Sequence, residues 1–494
     1  MRAAAIIRTG QAVPCRPWPR YVLPPADWAA MAAALADDTP DLLALWSDTT
    51  QIHALFATPD APLLASTPVI EGRYPALSPY RPSAAGFERM VYDLWGHEPA
   101  GAADTRGLLD HGGWAITSPM SIRPGGPNGA VEPVLLTAQD GLHQIPLGPV
   151  LPGIAEPVHL RLHAGGETVV QAEARLGYAH KGTLLLMRGK SPRAAARFAA
   201  RLSGDATVAH SIAFAHAAEA ALDIDAPARA HALRGVMAEL ERAASHLGDL
   251  AGLCGDVAFA YGHARFGVHR EALLRAAAEA FGHRLMMDLV IPGGVASDPA
   301  PTGAAAILTA MDDMMDELPD LISLYDGSSG LADRMTGLGR VPPLQIAAFA
   351  PGGVAGRAAG RNADARRAPG YPPYDGVVAH ILTAGDVDAR VRIRLAELAE
   401  SAALLHRLFD SLPAGPINQA LPATSGEGVG VAESARGDVW HWLRLDAGMI
   451  ATAFAADPSW RLWPLMEWAA RDGGVADFPV IARSFAGSCS GVDL

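Results

Sequence analysis

Five long stretches, 191–222, 226–260, 264–282, 302–325 and 386–411, are rich in Ala and Leu and mostly poor in Gly and Pro. Segments of that length and composition form helices. Gly/Pro-rich connections at 291–301, 337–343, 351–376 and 412–430 separate the later ones, so the chain must turn there and pack helix on helix. No fixed-period repeat is present. One of the five carries more than packing. At 100° per residue, Val236, Leu240, Ala243, Leu247 and Leu250 form an apolar stripe, and Glu239, Arg242, His246 and Asp249 form a second stripe directly beside it. A surface helix sets its charges opposite the apolar face. Charges flanking that face fit either a solvated ridge or a helix in the centre of a bundle, with a buried network that needs complete pairing.

Ahead of the helices, residues 1–115 read as a small α+β domain. Trp28–Ala36 is helical by composition, 52–57 and 68–70 read as short strands, and 86–96 is an amphipathic helix ending on Gly96. Residues 116–140, with Pro119, Pro124, Gly125, Gly126, Pro127 and Gly129, read as a linker. A second domain, 141–494, opens with alternating positions over 156–174 that pause at Ala164-Gly165-Gly166-Glu167, a hairpin signal. The expected fold class is therefore α+β: a small N-terminal α/β domain and a large helix-rich domain with an antiparallel hairpin or sheet at its start.

Composition excludes several functions. Charged residues make up 18% of the 494 and the net charge is −13, the wrong sign for a general nucleic-acid or anionic-membrane binder. The three cysteines, Cys15, Cys254 and Cys489, form no CxxC pair, so neither a Cys-ligated zinc site nor an iron–sulfur cluster held by this chain is expected. Gly293-Gly294 is a turn rather than a phosphate loop, since no Lys-Ser/Thr follows. The best candidate for a span, the uncharged run Val341–Gly356, is broken by Pro342-Pro343 and Gly352-Gly353, so a soluble, cytoplasmic chain is expected, reaching a membrane only through partners.

Several fragments, in one order, resemble the large subunits of group 4 membrane-bound [NiFe] hydrogenases and the related quinone-site subunit of complex I. They are Pro146-Leu147-Gly148-Pro149, Gly177-Tyr178-Ala179-His180-Lys181-Gly182, Val208-Ala209-His210-Ser211, Glu239–Leu247, Pro292-Gly293-Gly294-Val295, Gly385-Asp386 with Arg390, and Glu433-Ser434-Ala435-Arg436-Gly437. Phe87-Glu88-Arg89 with Tyr92–Gly96 and Asp104–Leu109 resembles the complex I subunit that packs beside that one, so the chain resembles a fusion of the two.

The resemblance implies a hydrogenase large-subunit-like fold, a small partner subunit with a [4Fe–4S] cluster, membrane-embedded ion-translocating partners, and a place on the inner face of the cytoplasmic membrane. It also exposes departures. Hydrogenases of this kind hold nickel and iron on four thiolates, and soft thiolates suit that chemistry; here Ser203, Ala206, Ser488 and Gly491 stand in those places, with Cys489 one residue out of register. The histidine and tyrosine thought to bond the quinone head group are absent: the hairpin 150–157 has no His, and Gly204 falls at the Tyr position. Metal ligands are therefore not expected and no cofactor is expected on this chain itself, with quinone the possible acceptor.

The resemblance singles out His210, Asp205, Arg436 and His180 as candidate catalytic residues, and Glu156, Tyr178, His246 and Arg242 as candidates near a cofactor. Asp205 suits either a helix cap or a relay with His210. Arg436, without a metal, suits an ion pair with Glu433 or Asp438. Two functions follow: a redox subunit passing electrons toward quinone or another acceptor, coupled to ion translocation, or a redox-silent scaffold that handles protons.

Overall fold

The computed structural model describes residues 2–36, 40–127, 141–150 and 156–494. Linker residues 128–140 and hairpin residues 151–155 lie outside the described residues.

Helix α1 (Arg2–Thr9), strands β1 (Gln11–Val13) and β2 (Arg20–Val22) and helix α2 (Pro25–Ala34) open the chain. Strands β3 (Asp41–Ser47), β4 (Gln51–Ala57) and β5 (Leu63–Pro68) complete a sheet in the order β1-β2-β5-β4-β3, parallel only between β2 and β5. Both β3 and β4 are buried at consecutive rather than alternate positions, as expected of strands covered on both faces. Trp28 and Met31 of α2 share this core with Trp442 and Phe454 from the far end of the chain. The strand expected at 68–70 is only the exit of β5, whose ladder stops at Pro68, where the ring removes a donor. Short strands β6 (Arg73–Pro75) and β7 (Glu98–Ala100) flank α3 (Ala85–Trp95), which ends on Gly96 at φ 73°.

Beyond residue 140, β8 (His143–Leu147), β9 (His159–Gly165) and β10 (Thr168–Arg175) form an antiparallel sheet that turns at the expected hairpin. The helix expected over 191–222 divides in two: after α4 (Thr183–Met187) come α5 (Pro192–Ala199) and α6 (Thr207–Leu222), parted by the Ser203-Gly204-Asp205 turn. The others form close to their expected bounds: α7 (Ala228–Asp256), α8 (Ala260–Phe281), α9 (Pro301–Asp326) and, later, α13 (Val387–Asp410). They pack into a bundle around α7, whose apolar stripe lies in its core. The miniature pair β11 (Val290–Ile291) and β12 (Gly294–Val295) and short helices α10 (Ser329–Met335), α11 (Pro343–Phe349) and α12 (Gly353–Ala358) fill the connections.

The C-terminal part holds a three-stranded antiparallel sheet, β13 (Gly426–Ser434), β14 (Gly437–Asp446) and β15 (Met449–Ala456), followed by α14 (Ser459–Ala469), α15 (Phe478–Phe485) and α16 (Cys489–Asp493). The sequence reading placed the start of β13 in a connection because Gly426, Gly428 and Gly430 look like loop residues. They are a contact surface. A Cβ on each would sit 2.0, 2.2 and 2.1 Å from the carbonyls of Ala221, Ala217 and Ala213. Those three alanines recur every fourth residue on one face of α6, so side-chain-free positions on the strand and small ones on the helix let the two backbones nearly touch. This seats α6, and His210 at its start, directly on the sheet.

Candidate functional site

Three segments meet where α6 begins. The 203–205 turn brings up Ser203 and Asp205, the turn after β13 brings Arg436, and the start of α16 brings Ser488, whose hydroxyl caps that helix by accepting the Gly491 N–H at 3.0 Å. Their side chains close on one another. Ser203 Oγ lies 3.0 Å from Ser488 Oγ and 2.9 Å from Asp205 Oδ1. Arg436 donates to Ser203 Oγ at 2.8 Å and pairs with Asp205. Glu156 holds the Ser488 hydroxyl at 3.0 Å and accepts the Ser490 N–H at 2.9 Å. Lys181 reaches the Ser490 hydroxyl and the Leu202 carbonyl. Two cationic heads, from Arg436 and Lys181, thus stand among the Glu156 and Asp205 carboxylates.

Behind them lies a residue that sequence reasoning missed, Asp457. It is wholly buried, 3.0 Å from His210 Nε2 and 3.5 Å from Arg436, and accepts the Ser459 N–H at 2.8 Å. A Cβ on Gly491 would fall 2.5 Å from its carboxyl carbon, so this carboxylate fills the space beside the C-terminal turn. Its only sequence signal was a lone acid, Asp457-Pro458, closing the apolar run of β15. Burial alone would raise the Asp457 carboxyl, but Arg436 and His210 hold it well below the usual carboxylate range. On the other side of His210, Nδ1 lies 3.0 Å from His441 Nε2. Burial, reinforced by the neighbouring His210, keeps His441 neutral, with its pKa well below normal. Two proton patterns satisfy the chain: neutral His210 accepts from His441, or charged His210 donates to it and to Asp457. The set can therefore hold one proton between fixed partners.

The eight residues named from sequence fall into three groups. His210, Asp205, Arg436 and Glu156 share the cluster just described. Asp205 does not cap α6: Glu241 of α7 takes the Val208 and Ala209 N–H groups at 2.6 and 2.9 Å, which frees Asp205 for Arg436. Nor does Asp205 relay to His210, whose carboxylate partner is Asp457. Arg436 pairs with neither Glu433 nor Asp438, which bind Arg357 and Arg461 instead.

Tyr178 and His180 form the second group, on a turn held by Asp493, which accepts the Gly177 and Ala179 N–H groups at 2.7 and 2.8 Å. His180 stacks on Trp114 at 4.7 Å and bonds the Asp493 carbonyl, while Tyr178 stands half exposed near His111.

Arg242 and His246 belong to a third set, a charged layer inside the helix bundle. Arg242 lies 3.4 Å from Glu239 and 3.7 Å from Glu397, and donates to the Ser434 and Glu433 carbonyls. His246 bonds Glu397 at 2.8 Å. The tighter pairs are made by two other arginines: Arg357 with Glu397 and Glu433 at 2.6 and 3.0 Å, and Arg366 with Asp364 and Glu239 at 2.7 and 3.3 Å. Tyr374 and Ser401 complete Glu239 at 2.7 and 2.6 Å. Burial, with Asp364 nearby, pushes Glu433 up to about 7 despite its arginines. Asp249 alone stands at the rim, partly exposed and paired with Arg394.

Among the described residues no group of three or more His, Cys, Asp and Glu is arranged to hold a metal. The donors at the 203–206 and 488–491 positions are hydroxyls already bonded to carboxylates and a guanidinium, and burial raises the Cys489 thiol far above its usual range. Among the described residues no helix is long and apolar enough to cross a membrane.

Comparison with known proteins agrees with the architecture. Residues 261–425 match the family described as respiratory-chain NADH dehydrogenase, 49 Kd subunit. The chain is 28% identical to hydrogenase-4 component G of Escherichia coli over 83% of this chain and 74% of that one. It is 32% identical to an NADH-quinone oxidoreductase component of Gluconacetobacter diazotrophicus, over 60% of this chain and 72% of that one. A chain from the membrane-bound sulfane sulfur reductase, described as an archaeal respiratory membrane complex, shares the fold at a TM-score of 0.66 and 21% identity, over 73% of this chain and all of that one. Fold and sequence together define a large subunit of the hydrogenase and complex I superfamily. The chain belongs to the family that joins complex I quinone-site subunits with the large subunits of group 4 hydrogenases.

Proposed function

We propose that the chain is the metal-free large subunit of a membrane-associated oxidoreductase complex. Electrons enter through a small subunit carrying a [4Fe–4S] cluster and leave toward a quinone, and membrane-embedded subunits couple that reaction to ion translocation. In this reading residues 1–115 are a fused neighbouring-subunit domain, 116–140 the linker and 141–494 the large-subunit domain. The complex sits on the inner face of the cytoplasmic membrane.

The single observation that carries the metal-free part is the closed cluster of Ser203, Ser488, Glu156, Asp205 and Arg436. Nickel and iron would need thiolates there. Two of the four positions hold hydroxyls, bonded to each other at 3.0 Å, the other two are Ala206 and Gly491, and the Arg436 guanidinium bonded to Ser203 sets a positive charge beside them that would repel a dication. The residues do not fit a nickel–iron centre, so no step is derived through one. What this chain's residues offer is proton handling: Asp457 and His441 orient His210, and Arg436 helps keep the Asp457 carboxylate ionised.

A second reading, a redox-silent scaffold, is favoured by the closure of the same cluster. Metal analysis and turnover of the native complex test both. We expect no stoichiometric nickel, iron only in proportion to the small subunit, and reoxidation of the reduced cluster by a soluble quinone. One nickel per chain retained through dialysis overturns the metal-free reading. A reduced cluster that quinone leaves reduced selects the scaffold.

A further inference from the structure

Between Glu173 and Asp205 the chain carries no acidic residue, while Lys181, Arg188, Lys190, Arg193, Arg197 and Arg201 follow one another. In a chain of net charge −13 this is a local reversal of sign, and the fold gathers it on one surface. Lys190 Nζ and the Arg197 guanidinium lie 5.7 and 5.4 Å from the centre of the same Phe198 ring. Arg193 is one turn before Arg197 on α5, and among the described residues its head donates only to the carbonyls of Pro292 and Gln419. Arg201 is neutralised by Asp288. Among the described residues no carboxylate pairs with Arg188, Lys190, Arg193 or Arg197, so four positive charges stand uncompensated.

Apolar tips rise beside them. Leu185 and Leu186 of α4 are 44% and 47% exposed, and Met449 is 42% exposed. Backbone bonds from Gly189 N–H to the Ile450 carbonyl (2.8 Å) and from Ile450 N–H to the Lys190 carbonyl (2.9 Å) tie the 189–190 turn to the strand that carries Met449. Cations and apolar tips therefore share one edge of the molecule.

We propose that this edge, built from α4, the 188–190 turn and α5, docks directly on an anionic lipid surface. Lipid headgroups supply diffuse negative charge for the four cations, of which Lys190, Arg193 and Arg197 rest their heads on a ring or on carbonyls. The acyl boundary beneath takes the leucine and methionine tips. Acidic groups alone would match the charges and leave those three tips without a partner of their own chemistry, whereas an anionic lipid surface supplies both. The acidic remainder of the molecule is repelled by the same surface, which orients the chain edge-on and limits contact to this strip. The inference is independent of the redox reading, because nickel content and lipid binding are separate measurements.

Flotation of the full chain with vesicles tests it. We expect the chain to float with phosphatidylcholine vesicles containing about one third phosphatidylglycerol, not with phosphatidylcholine alone, and to be released as salt is raised from about 0.05 to 0.5 M. Each neutralised charge should weaken partitioning by up to about fivefold. Replacing all four, R188Q/K190Q/R193Q/R197Q, should therefore abolish flotation with thermal melting unchanged. R197E alone, at a single exposed position, gives the same readout if the quadruple variant melts early. L185S/L186S should reduce binding while leaving its salt dependence. A wild-type chain that ignores anionic vesicles, or floats equally on neutral ones, overturns the proposal. So does a charge variant that floats as wild type does. If it does so while losing a co-purifying subunit, the edge is the seat of an acidic protein.

Discussion

Arg242 shows how far helical phase alone reaches. Its position beside the apolar stripe of α7 fitted either a solvated ridge or a buried network, and the fold selects the second: it is 1% exposed, held by two carboxylates and two carbonyls. Its partners were not legible, because Glu397 and the Ser434 carbonyl arrive from segments far along the chain. Arg242→Met keeps the stem and leaves buried carboxylates uncompensated, so urea unfolding at neutral pH should show a loss of about 3–5 kcal/mol; a shift under about 1 kcal/mol, the size typical of exposed pairs, would contradict the buried layer. Glu467 of α14 makes a pH-dependent case. Its carboxylate accepts the Ala174 N–H at 2.7 Å, and burial pushes its pKa up to about 7. The unfolded chain titrates the same residue near 4.3. Between those values the folded protein holds the extra proton, so this group's contribution to stability is present at low pH and is lost as pH rises toward 7. Wild-type stability minus that of Glu467→Gln should fall across pH 5–7.5 by up to about 1.4 kcal/mol per unit. A difference that stays flat across that range would show the carboxyl titrating normally.

At the scale of elements, α6 and β13 explain both what the sequence disclosed and what it concealed. Length and an Ala/Leu-rich composition poor in Gly and Pro located α7, α8, α9 and α13, which pack together in one bundle. Strand β13 was concealed because its partner surface is a helix backbone, which demands glycine where a strand usually shows branched side chains. The same close approach makes a sharp test. Gly428→Ala would set a methyl 2.2 Å from the Ala217 carbonyl and 2.4 Å from the Ala221 nitrogen. Helix and strand would have to separate, and overpacking of this kind costs about 1–3 kcal/mol or more. Gly267→Ala on α8 meets no atom within 4 Å and should be neutral or slightly stabilising by helix propensity. Equal melting temperatures for the two variants would refute the close contact. The 203–205 turn is the complementary case: Ser203, Gly204 and Asp205 are poor helix formers between two good runs, and Glu241 takes free N–H groups at the start of α6, those of Val208 and Ala209.

In the whole molecule, the N-terminal sheet and the β13–β15 sheet share one core. Trp46 stacks on Phe454 at 5.1 Å, and Arg20 forks onto Glu427 at 2.7 and 3.0 Å in a buried pair. Charge and composition hinted at two domains but said nothing of this seam, since it joins residues 407 positions apart. If the seam is as continuous as its packing, Arg20→Met should lower the midpoint of a single cooperative unfolding transition, by about 3–5 kcal/mol for a broken buried pair; early, separate melting of the N-terminal part would show two independent units. The seam also sets a timetable for synthesis. A ribosome adding 5–20 residues per second takes roughly 20–80 s to travel from Arg20 to Glu427. Throughout that interval Trp46 and His53, whose ring partners Trp442 and Phe454 come from the far end of the chain, wait in the nascent chain without the surface that finally covers them, the kind of exposed apolar face that chaperones shield on emerging polypeptides.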